Sequence, residues 1–223
     1  MNTILPCPLC DSCDTRFFHR DERRDYLRCD QCALVFVPPN YFLSPEAEKA
    51  EYDLHENALD DLGYRRFLSR LAEPLLQRLG ESAVGLDFGC GPGPALAAIL
   101  EEAGHSVSLY DPFYRPDPKP LESRYDFVCA TEVVEHLHYP GAELKRLWSL
   151  LHPGGYLGVM TKLVLDAGAF ARWHYKNDPT HVCFFSRDTW AWWADRYGAE
   201  LSIVGADVIL LRQPSSADSS ILR

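Results

Sequence analysis

The sequence predicts an α/β chain, with a mostly parallel sheet preceded by a small cysteine-rich segment. Two observations carry that reading. Five of the eight cysteines fall in the first thirty-two residues, four of them in two CxxC pairs, and a short apolar run at 83–88 opens into a glycine loop followed by a helix-forming stretch. The 223 residues, 47% apolar and 24% charged, suffice for one sizeable core with a small appendage, which excludes fibrous, collagen-like and wholly disordered chains. No apolar run approaches the roughly 18–20 residues that span a bilayer, and no signal-peptide pattern opens the chain, so a soluble, cytoplasmic protein is expected. A net charge of -10 argues against nucleic-acid wrapping as the main task, because that affinity comes from Lys and Arg neutralising phosphates. A local basic face formed by Arg16, Arg20, Arg23, Arg24 and Arg28 is the exception to weigh, but interleaved acids leave that stretch about neutral.

Cys7-Pro8-Leu9-Cys10 and Cys29-Asp30-Gln31-Cys32 are separated by eighteen residues, a spacing that fits a four-thiolate zinc site. Four protein thiolates leave no open coordination position, so the zinc would be structural, stapling a segment too short to hold a core of its own. Disulfides are the alternative, and Cys13 permits a second register through Cys10 and Cys13. Between the knuckles, Arg16–His19 and Asp25–Arg28 read as aromatic strands around a charged turn at Asp21–Arg24. Residues 1–38 are therefore expected to be a zinc ribbon, and 39–61 a helical connector in which Ser44 caps a helix starting at Pro45. Cys90, Cys129 and Cys183 are expected as small buried side chains. A further helix is expected from Leu62 to Leu79, kinked at Pro74, and the Ser-rich residues 213–223 as a disordered tail.

Ala83–Phe88 reads as a buried parallel strand, Gly89-Cys90-Gly91-Pro92-Gly93 as a turn that lets a ligand approach the backbone, and Pro94–Gly104 as a helix with proline at its first position. A dinucleotide fingerprint fails because its third glycine position is Pro94, and a phosphate-binding Walker loop fails for want of a GK[ST] ending.

With Asp87 two residues ahead of this GxGxG loop, the chain resembles the class I S-adenosylmethionine-dependent methyltransferases. Ser106–Asp111 is similar to that family's second strand and its ribose-binding acid, Tyr125–Leu137 to the fourth strand and following loop, and Leu150–Thr161 to the turn and fifth strand. The resemblance implies a Rossmann-like, mostly parallel sheet over 62–212, closed by a C-terminal antiparallel hairpin of 199–204 and 207–211. It also implies S-adenosylmethionine as cofactor, contacted by Asp87, Gly89, Cys90, Gly91, Gly93, Asp111, Thr131 and Glu132. Only fourteen residues separate Asp111 from Asp126, so the usual third strand is abbreviated or missing. Phe113 and Leu121 are the candidates for covering the adenine, each equally readable as ordinary packing, so the adenine pocket is not assigned.

Methyl transfer from a sulfonium is an in-line displacement that needs alignment, plus proton removal where the acceptor is a weak nucleophile. The aromatic and polar segment 170–186 is expected to cap the pocket. Within it His181 is the preferred general base, with Asp178 orienting it or bonding the acceptor, and Glu135 and His136 are second candidates. The competing reading of Asp178 and His181 is that they only tie down a loop. A similar Asp-Pro-Thr-His-Val segment in family members acting on sugars and other small molecules implies a small-molecule acceptor, a sugar derivative among them. Two alternatives stay open: an RNA methyltransferase gripping its substrate with the ribbon, and a non-catalytic cofactor-binding or scaffold protein. Oligomeric state is not readable from the sequence.

Overall fold

A computed structural model describes residues 5–54 and 59–215; most of the expected tail lies outside them. In the N-terminal segment β1 (Thr15–Arg20) and β2 (Asp25–Cys29) form the expected antiparallel hairpin, and β3 (Val35–Phe36) follows. The connector carries α1 (Pro45–Tyr52), with Pro45 in its first turn and the Ser44 hydroxyl accepting from Ala47 N–H. α2 (Leu62–Leu76) buries Leu68, Leu71, Ala72 and Leu75. It stops three residues short of the expected end: Pro74, in its last turn, lacks an amide donor, and the backbone leaves the helix at Gln77.

Six strands make the main sheet in the order β5-β4-β6-β7-β10-β9. β4 (Val84–Phe88), β5 (Ser106–Tyr110), β6 (Tyr125–Thr131) and β7 (Leu151–Met160) run parallel; β10 (Val208–Arg212) enters antiparallel beside β7 and pairs outward with β9 (Glu200–Val204). This is the Rossmann-like sheet with its closing hairpin. The crossovers are α3 (Ala95–Glu102) between β4 and β5, and α4 (Pro140–Ser149) between β6 and β7. Pro94 is the residue flanking α3 rather than its first helical residue, and it supplies no side-chain cap. Between β5 and β6 there is only a 3-10 turn at Lys119–Glu122, so the third strand is absent and β5 is the edge. Beyond β7 come α5 (Ala167–Ala171), β8 (Cys183–Phe184) and α6 (Arg187–Tyr197), the last opened by a capping box of Ser186 and Thr189 and closed by Gly198 in the left-handed region.

The ribbon does not end at residue 38 as a structural unit. β3 pairs with β8, so a strand from far along the chain completes a four-stranded sheet, β1-β2-β3-β8. Cys7, Tyr26, Leu34 and Phe36 share one apolar cluster with Phe170, Val182, Phe185 and Trp190. Gly141, at the start of α4, donates to Pro8 O at 3.1 Å, and a Cβ there would stand 2.4 Å from Leu9 O, so only glycine admits the first knuckle. Cys90, Cys129 and Cys183 are buried, as expected.

Candidate functional site

Cys7, Cys10, Cys29 and Cys32 bring their sulfurs within 4.8 Å of one another, with Cys7–Cys32 and Cys10–Cys29 at 3.5 Å. Those separations exceed any disulfide, and a tetrahedral ion about 2.3 Å from each sulfur needs them about 3.8 Å apart. Cys13 is exposed and outside the group, which sets aside the second register. The knuckles are built alike. Asp11 N–H donates to Cys7 O and Ala33 N–H to Cys29 O, and both donors are non-glycine residues at φ near +60°. A strained backbone of this kind persists where something over-determines it, as one ion bound by both knuckles would. The donor set fits a structural four-thiolate metal.

The second centre lies where the strand order reverses between β4 and β6, the crevice in which open α/β sheets bind ligands. Asp87, at the end of β4, accepts the Ala97 amide and so caps α3 in place of Pro94, while burial pushes its pKa up to about 7. Gly89 has φ +74° and a Cβ there would stand 2.4 Å from Val133, so glycine is required for the loop to lie against the segment after β6. Gly91 faces open space, as a backbone cradle for a ligand must. Asp111 holds the loop: one carboxylate oxygen accepts from Gly91 N–H and the other from Phe113 and Tyr114 N–H. That leaves about one of its roughly four acceptor positions open for a ribose hydroxyl. Cys90 and Gly93 lie in the same loop. On the far side, Thr131 Oγ1 and Glu132 Oε1 are buried without a partner, and Glu132 adopts φ +52°. A cradle on one wall and orphaned polar atoms on the other fit an adenosyl sulfonium cofactor.

Next to this crevice Glu135, His136 and His181 converge, their candidate ligand atoms within 4.8 Å of one another. Glu135 is 0% exposed, and burial together with neighbouring Glu132 pushes its pKa up to about 8. Burial likewise raises Glu132 to about 7, and the Tyr175 hydroxyl donates towards both carboxylates. His181 Nδ1 donates to Tyr175 O at 2.7 Å, and burial drives the ring's pKa down to about 4. Of the two roles expected for Asp178, orienting His181 or bonding the acceptor, the first is not met through a direct hydrogen bond: the two stand 3.8 Å apart, and the Tyr175 carbonyl accepts from the ring instead. Asp178 acts on the other histidine. Its carboxylate accepts from the Thr180 hydroxyl at 2.6 Å, and that hydroxyl accepts in turn from His136 Nδ1 at 2.9 Å. Burial opposes ionisation of Asp178, but the Thr180 hydrogen bonds and His181 hold its pKa below the usual carboxylate range.

Three contributors have no local signature. Tyr52, on α1, packs edge-on against His136 and tilts over Phe113, linking the acceptor side to the donor side. Tyr175, within the segment expected to cap the pocket, joins the two buried glutamates. Arg24, in the ribbon turn, donates to Lys176 O, Asp178 O and Pro179 O at 2.6–3.0 Å, while Lys176 Nζ reaches Asp21 at 2.9 Å. The ribbon thus grips the loop that carries His181. Leu121, by contrast, packs on the main core.

Fold and crevice together define a class I methyltransferase architecture. The chain belongs to the methyltransferase domain family, whose family model matches residues 62–202. It is 40% identical over 91 residues to a ubiquinone biosynthesis O-methyltransferase of Bradyrhizobium sp. (strain ORS 278), covering 41% of this chain and 35% of that protein. It is 28% identical over 129 residues to the biotin biosynthesis bifunctional protein BioCD of Bordetella avium (strain 197N), covering 46% and 27%. The matches thus span about a third or less of these relatives' length. Among solved structures it resembles the 1,6-didemethyltoxoflavin-N1-methyltransferase of Burkholderia thailandensis, bound to 1,6-didemethyltoxoflavin and S-adenosylhomocysteine. That likeness, at TM-score 0.54 and 18% identity over 89% of this chain and 99% of that one, bears on the fold. Among the described residues no helix is long and apolar enough to cross a membrane.

Proposed function

We propose that the chain transfers a methyl group from S-adenosylmethionine to a hydroxyl-bearing small molecule, a sugar derivative being the class the 178–182 segment favours, with zinc in the four-cysteine site as a structural ion. The observation that carries this reading is the convergence of Glu135, His136 and His181 beside the glycine loop at the strand-order reversal. When bound, the cofactor supplies a sulfonium methyl: the acceptor oxygen forms the new C–O bond as the S–C bond breaks, its electron pair staying on sulfur. Gly89–Gly93 and Asp111 hold the donor, Asp111 through its remaining acceptor position. Thr131 and Glu132 offer the unpartnered oxygens on the opposite wall.

The acceptor's proton goes to the cluster. Glu135 is the better matched base, since burial raises its pKa to about 8, while His181, lowered to about 4, is neutral at pH 7 and serves as a lone-pair acceptor that orients the hydroxyl. The Asp178–Thr180–His136 chain fixes the second imidazole, and the ribbon's grip on 176–179 keeps His181 in place. The test is an acceptor screen with methyl-labelled cofactor on wild type and His181→Ala. The expected outcome is label transfer by wild type, with the variant retaining S-adenosylhomocysteine affinity while losing turnover. Full turnover in the variant would remove His181 from the mechanism.

A further inference from the structure

Among the described residues two groups of side chains bring metal-ligating atoms together, and the four thiolates account for only one. The other is Glu135, His136 and His181, and its polar environment is deficient in positive charge. Glu135 Oε2 and Glu132 Oε1 are both buried without a hydrogen-bond partner, and the donor the two acids share is a single neutral phenol, Tyr175. Lys162 and Arg70 act on Glu132 only through space, the Lys162 ammonium lying over the Tyr175 ring and 3.2 Å from His174.

The histidines are prepared as ligands. His181 donates Nδ1–H to a backbone carbonyl. Thr180 gives its only proton to Asp178, so its hydroxyl accepts the Nδ1–H of His136. Both rings are thereby held in the tautomer that leaves the lone pair on Nε2, the arrangement of metal-ligating histidines whose other nitrogen donates to a carbonyl or hydroxyl.

We propose that Glu135, His136 and His181 bind one divalent cation, separate from the thiolate-held zinc. Two imidazoles and one carboxylate suit manganese, iron, cobalt or zinc better than the all-oxygen sites of calcium and magnesium. Three protein ligands leave positions open. The ion's role in catalysis rests on the proposed function and revises the proton step there: with the ion bound, Glu135 and His181 would ligate it instead of meeting the acceptor directly, and an acceptor hydroxyl coordinated there would lose its proton to water more readily. Binding of the ion itself does not depend on that reading.

The experiment is a titration of zinc-loaded full-length protein with manganese(II), read by electron paramagnetic resonance, with and without S-adenosylhomocysteine. Manganese has little appetite for thiolates, so the first site does not interfere. One manganese per chain is expected in wild type, weakened at least tenfold in Glu135→Gln and in His181→Ala, each retaining one zinc as proof of folding. No manganese binding to wild type at millimolar concentration, with or without the nucleoside, overturns the proposal. So does binding that is unchanged in both folded variants. Should a variant lose its zinc, the wild-type titration with cobalt(II) decides: a visible spectrum of nitrogen and oxygen ligation supports the site, and one of thiolate ligation alone refutes it. Failure to bind S-adenosylhomocysteine would sink the methyltransferase reading while leaving the manganese result standing.

Discussion

Replacing Arg24 with alanine tests whether the ribbon serves the active-site loop. The side chain is 6% exposed and donates to three backbone carbonyls of residues 176–179 and to the Tyr26 hydroxyl. Hydrogen bonds from a charged donor contribute about 1.5–3 kcal/mol each, but the sum overshoots because water enters the vacated space and rehydrates the carbonyls. A net loss of about 3–5 kcal/mol is expected, the range for breaking a buried charged contact, which in a chain of this size lowers the melting temperature by roughly 6–20 °C. Below that temperature, turnover should fall at least tenfold as His181 loses its fixed position, while S-adenosylhomocysteine affinity, set by the glycine loop, stays within about twofold. Arg24→Lys should recover only part of the loss, since one ammonium does not reach all three carbonyls. Thermal denaturation, calorimetric titration with the nucleoside and labelled-methyl turnover read these separately. A melting point within about 2 °C of wild type together with full turnover would refute the argument.

Cys29→Ser should remove the metal from the thiolate site and, because β3 and β8 share a sheet, lower the melting temperature of the whole chain, which metal analysis beside denaturation checks. Gly89→Ala places a methyl against Val133 at a left-handed residue; a loss of about 1–3 kcal/mol and at least tenfold weaker nucleoside binding are expected from denaturation and calorimetry. Asp21 supplies a pH dependence. Burial alone would raise its pKa, but Lys176, the Arg23 and Arg24 amides and Tyr26 together hold it well below the unfolded value of 3.8. Its contribution is therefore full above that value, declines beneath it and is lost as the pH falls through the depressed folded value. Asp21→Asn should accordingly be less stable than wild type at pH 7 and converge with it in strong acid, as denaturant melts across pH would show.

The fold around the expected donor side was legible because its signals are local. A strand, a glycine loop and a helix sit within twenty residues, and Asp111 and Glu132 fall at strand ends that apolar runs predict. The short gap after Asp111 even foretold the missing strand. What was not legible depends on residues far apart in the chain. A two-residue strand such as Cys183–Phe184 has no periodicity to read, so its pairing with Val35–Phe36 and the fusion of ribbon and main body were invisible. Arg24 and Asp21 read as a charged turn, because nothing nearby announces carbonyls 150 residues away. The proposed ranking of bases differs from the expected one for the same reason: an unperturbed imidazole favoured His181, whereas tertiary burial lowers its pKa and raises that of Glu135. Asp178 was expected to orient His181 or bond the acceptor, and the link it makes through Thr180 to His136 has no local signal.

The most direct test of the central claim, that the crevice between β4 and β6 holds an adenosyl cofactor beside a proton-accepting cluster, is calorimetric titration with S-adenosylhomocysteine of wild type, Asp111→Ala and His181→Ala. One nucleoside per chain in wild type, at least tenfold weaker binding in Asp111→Ala and unchanged binding in His181→Ala are predicted. Absence of binding to folded, metal-loaded wild type would contradict the account.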